Sequence, residues 1–77
     1  MFESIDPSDL GGKLKALRVR ERLTQVALAK QSLLSPIFIA KVEAGERMPS
    51  WETLARLADR LGVEVRVALI QRRKGRQ

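Results

Sequence analysis

The fold class that this sequence predicts is mainly α: four short helices in one compact domain, followed by a β-strand that pairs across a homodimer. Three observations carry it. Thr24, Ser35 and Ser50 each stand as an N-cap before residues that recur at helical spacing. Gly45 and Gly62 close two of those stretches in the way a helix C-terminus requires. After Gly62 the period drops to two, with Val63, Val65, Val67 and Leu69 on one side and Glu64, Arg66, Ala68 and Ile70 on the other.

The first helix is expected over about residues 7–22. Asp6 suits its N-cap, Pro7 its first position, and Asp9 the positive end of its dipole. Leu10, Leu14 and Leu17 supply its buried stripe. Gly11-Gly12 weakens it by roughly 1 kcal/mol per glycine relative to alanine, so either the first turn frays or another backbone packs closely there. A second helix follows Thr24 over Gln25 to Gln31, with Leu28 and Ala29 inward. Ser35-Pro36 opens a third, to about residue 43, with Ile39 and Val42 on its buried face. Ser50 caps a fourth, whose Leu54, Leu57, Ala58 and Leu61 fall on one stripe.

Seventy-seven residues form one domain with a marginal core, and such domains often complete their burial with a second copy. A lone strand leaves its backbone groups unpaired, and no other stretch alternates comparably, so the strand over residues 63–70 is expected to pair antiparallel with its own copy. Centring that pairing on Arg66 would oppose two arginines; centring it on Val65 or Val67 avoids this. The expected dimer interface is therefore Val63, Val65, Val67 and Leu69.

Composition narrows the function. With no cysteine and no histidine the chain has no thiolate or imidazole metal site, and its sequence shows neither a glycine-rich phosphate loop nor a pair of carboxylates in a recognisable frame. Neither an enzyme nor a cofactor or metal site is expected. No run approaches the eighteen or so apolar residues of a membrane span, and the acidic start is unlike a signal peptide, which points to the cytoplasm. The net charge of +6 is uneven, since Arg72, Arg73, Lys74 and Arg76 leave residues 1–70 with eleven basic and nine acidic groups. Residues 71–77 read as a basic flexible tail, either merely solvated or held near phosphates.

Leu14, Leu17 and Arg18, then "TQVALA" at 24–29, Ser35, Ile39, "VEAG" at 42–45 and "MPSWETLARLADRLGV" at 48–63 resemble the helix-turn-helix domain of the phage repressor and Cro superfamily, the XRE family. Within it, "DPSDLGGKLKALRVRERLTQVALAK" at 6–30 is similar to HipB-type antitoxins. The resemblance implies a repressor that binds a double-stranded DNA operator as a homodimer, and its HipB-like branch implies autoregulation and a kinase-fold toxin as partner. It further implies phosphate contacts from Gln25 and Ser35, base-edge positions at Pro36, Ile37, Ala40 and Lys41, and Arg47 near the DNA backbone. Glu43 is implied to pair with Arg18.

Two departures stand out. Leu33 occupies the turn between the second and third helices, where the family usually has glycine in a positive-φ conformation; the leucine is either strained by about 1 kcal/mol or the turn has another shape. Pro36, Ile37 and Phe38 make the expected reading positions apolar. Ile37 is expected outward, and Phe38 either outward or turned inward beside Trp51. Apolar groups can read the thymine methyl, with Lys41 reaching guanine. The alternative is an apolar patch of Val26, Ile37 and Phe38 that docks a protein without DNA.

Overall fold

The computed structural model describes residues 9–65. Four helices follow one another: α1 (Leu10–Arg20), α2 (Gln25–Gln31), α3 (Pro36–Glu43) and α4 (Trp51–Arg60). Three begin on the expected caps. Thr24 Oγ1 accepts the Ala27 N–H at 2.9 Å, Ser35 Oγ the Phe38 N–H at 3.0 Å, and Ser50 Oγ the Thr53 N–H at 3.2 Å. Each such cap satisfies a donor that the helix leaves free and is worth about 1 kcal/mol. Asp9 precedes α1 without a side-chain capping bond. The expected Asp6-Pro7 start lies outside the described residues.

All four helices end alike. The residue after the C-cap takes positive φ at Arg22 (60°), Leu33 (59°), Gly45 (81°) and Gly62 (74°). The next N–H then returns to the helix: Leu23 to Arg18 O at 3.1 Å, Leu34 to Ala29 O at 2.8 Å, Glu46 to Lys41 O at 2.8 Å and Val63 to Ala58 O at 3.0 Å. This is the Schellman stop, which commonly adds an apolar contact from the residue after the left-handed one. Leu23, Leu34 and Val63 make that contact here, each packing against the core. The stop at Arg22 also explains why α1 ends at Arg20, two residues short of expectation. For Leu33 the strained alternative is the one adopted, with the side chain 83% exposed.

The core joins Leu14 and Leu17 of α1, Leu28 and Ala29 of α2, Ile39 and Val42 of α3, and Leu57 of α4 with Leu61 just beyond it. α3 packs against both α1 and α2, and α2 also meets α4. Gly11 decides how close α1 comes to α3: a Cβ there would lie 2.5 Å from Val42 O and 2.6 Å from Glu43 O. Close backbone packing, not fraying, is the outcome at this glycine.

Trp51 is 52% exposed and is not among the core residues, so the alternative in which it joins Phe38 in the core is not adopted. Of the expected strand, residues 63–65 are described, with Val63 and Val65 half-buried and a β-bridge at Glu64. Val67, Leu69 and the tail lie outside the described residues. Among the described residues no helix is long and apolar enough to cross a membrane.

Candidate nucleic-acid interface

The face of α3 opposite Ile39 and Val42 carries the expected reading positions. Pro36, Ile37 and Lys41 are exposed and Ala40 is half-buried. Ile37 lies three residues before Ala40 and four before Lys41, so these side chains share one helical face. Ile37 is 69% exposed, as its position required. Phe38 does turn partly inward, packing against the core cluster.

Two longer links attach other expected residues to α3. The Arg47 guanidinium carbon stands 5.4 Å from the centroid of the Phe38 ring, a cation–π distance that brings the loop after α3 back to its first turn. At the other end, Gln25 Nε2 donates to Glu43 Oε1 at 3.0 Å. A carboxylate only accepts, so Glu43 fixes which end of the Gln25 amide faces it and leaves that nitrogen a second hydrogen. Ser35 keeps a hydroxyl hydrogen while its oxygen caps α3.

Glu43 is the hub of this arrangement. Arg18 Nε donates to Glu43 Oε2 at 2.6 Å and Arg18 Nη2 to Oε1 at 3.0 Å, a two-pronged pair whose side chains are 11% and 4% exposed. The pairing expected from the family resemblance is thus present. Arg18 Nη1 adds a bond to Leu23 O at 2.7 Å. The hydrogen bond to Glu43 holds the Arg18 guanidinium above its ordinary pKa, outweighing the opposing effect of burial. One ion pair therefore ties α1, the loop before α2, the start of α2 and the end of α3 together.

Arg56 went unassigned in the sequence, yet its Nη1 donates to Ser32 O at 3.2 Å and links α4 to the end of α2. The cation–π contact of Arg47 was equally unforeseen. Neither leaves a sequence signal, because each depends on how distant segments are brought together. Among the described residues no cluster of acids, histidines or cysteines could hold a metal ion.

This geometry, with a short α2 crossed by an outward-facing α3, agrees with comparisons to known proteins. A helix-turn-helix domain family matches residues 9–69. The chain belongs to the XRE-type helix-turn-helix family. Helix-turn-helix regulators of this type bind DNA. An immunity repressor protein of Bacillus phage phi105 is 39% identical over 56 residues, a match covering 73% of this chain and 39% of that repressor's length. Among solved structures, the clp gene regulator ClgR from C. glutamicum is similar at a TM-score of 0.74 and 32% identity, over 82% of this chain and 81% of that one. The restriction-modification controller protein C.AhdI from Aeromonas hydrophila is similar at 0.72 and 34% identity, over 77% and 89%. For this helix-turn-helix chain, the relatives named are a repressor and two regulators.

Proposed function

We propose that the protein is a sequence-specific transcriptional repressor that binds an operator as a homodimer in the cytoplasm, with α3 in the major groove. The observation that carries this is the outward face of α3, where Pro36, Ile37, Ala40 and Lys41 project away from the core while Arg47 folds back over the helix's first turn. Gln25 and Ser35 grip phosphate at the starts of α2 and α3. In the functional unit, residues 1–70 form the DNA-binding domain with its dimerising strand, and residues 71–77 a basic tail. The strand dimer places two copies of α3 about 34–36 Å apart on a near-palindromic site, where occupancy blocks transcription. The half-buried Val63 and Val65 at the start of the strand support this assembly, since a second copy would complete their burial.

The finer reading is an autoregulating antitoxin of a HipB-like toxin–antitoxin module, with a kinase-fold toxin as partner. It rests on the resemblance of residues 6–30, with residues 63–70 able to supply the strand that such antitoxins pair across a dimer, and a neighbouring reading frame without kinase features would remove it. A second reading, a protein-docking module that leaves DNA alone, draws on the exposure of Val26 (61%) and Ile37 (69%).

Titrating the duplex upstream of the protein's own reading frame across a salt series separates the two main readings. Repressor binding falls with salt at a slope of about −0.9 per phosphate contact. Gln25→Ala, Lys41→Ala and Arg47→Ala each weaken it, the losses at Gln25 and Arg47 being uniform across sequences. Unchanged affinity in all three variants rejects the site.

A further inference from the structure

From the composition of the exposed face of α3 we infer that Ile37 reads the C5-methyl group of a pyrimidine, so that the operator is recognised partly by methyl groups. The inference rests on the DNA-binding reading and names what that surface selects. The first turn of α3 has little left with which to form hydrogen bonds to bases. Pro36 has no N–H, Phe38 N–H is held by Ser35 Oγ at 3.0 Å, and Ile39 N–H by Ser35 O at 3.2 Å. Ile37 itself is apolar and 69% exposed.

The methyl group at pyrimidine C5 is the apolar feature that base edges present in the major groove. Burying it against Ile37 removes apolar surface from water on both sides, whereas an amino or carbonyl edge at that position would lose its water without gaining a partner. Charge favours a polyanion over an apolar protein as the occupant. Lys41 stands on the same face, Arg47 is stacked above Phe38, and the nearby Glu43 carboxylate is enclosed by Arg18 and Gln25.

Thymine and 5-methylcytosine both carry the group, and the test distinguishes them. Duplexes retained by the wild-type protein from a randomised pool at low salt are resynthesised with deoxyuridine replacing each thymidine in turn. At one or two positions per half-site the loss of the methyl weakens binding about fourfold. Ile37→Ala, whose fold is checked by its melting temperature, brings the thymine-to-uracil ratio there to about one. Changing the sensitive pair to C·G and then methylating that cytosine at C5 restores about fourfold over the unmethylated duplex.

A ratio of one at every position in duplexes that still bind overturns the inference and leaves DNA binding standing. A sensitivity that survives Ile37→Ala, or cytosine methylation without effect, overturns it as well. Failure to retain any duplex at low salt overturns the DNA-binding reading and this inference with it.

Discussion

Gly11 and Gly12 are adjacent in α1 and identical in chemistry, yet their surroundings set opposite expectations for alanine. At Gly11 the new Cβ meets two backbone carbonyls of α3 at 2.5 and 2.6 Å, and backbone cannot rotate aside as a side chain can. Gly11→Ala is expected to destabilise the fold by about 1–3 kcal/mol in urea unfolding, despite alanine's better helix propensity. At Gly12 the nearest neighbour is the Asp9 carboxylate oxygen at 3.3 Å, the movable end of a surface side chain. Gly12→Ala is expected to stabilise by up to about 1 kcal/mol. Leu33, at φ 59° and exposed, offers a third test. A left-handed leucine is strained by about 1–2 kcal/mol, so Leu33→Gly should stabilise by roughly 1 kcal/mol and raise the melting temperature by about 4–8 °C. A lower melting temperature would mean that the leucine makes a contact worth more than its strain.

Between elements, the Arg18–Glu43 pair sets how α1, α2 and α3 meet. Removing one member leaves the other charged and buried without its counter-ion, so Glu43→Ala is expected to lose about 3 kcal/mol. Replacing both, as Arg18→Met with Glu43→Leu, should recover much of that loss; a double variant no better than the single one would show that the bond to Leu23 O or to Gln25 matters more than the pair itself. How each element was legible follows from the range of the interactions behind it. Helix starts were plain at Thr24, Ser35 and Ser50, because a cap bonds a donor three residues away. Helix ends were plain at Gly45 and Gly62 but not at Arg22, where an ordinary side chain sits in the left-handed region and nothing local announces it. The exposed face of α3 followed from periodicity, and the roles expected on it from the family resemblance. What Phe38 does there did not, since both its packing against the core and its contact with Arg47 arise only when the chain is folded.

For the whole molecule, assembly is the decisive quantity. If the strand over residues 63–70 joins two copies, folding and association are linked, and the melting temperature rises with protein concentration. Val67→Pro removes a ladder donor and should elute as a monomer on a sizing column with a concentration-independent melt; wild-type protein that is already monomer-sized would exclude the dimer. The repeated stop at the end of every helix has a further consequence. Each stop turns the backbone within two residues, and residues 21–24, 32–35 and 44–50 suffice to join the helices. Helices that pack together are thus separated by at most one intervening helix, the loops that must close stay short, and the relaxation seen after a temperature jump should fall in the microsecond-to-millisecond range.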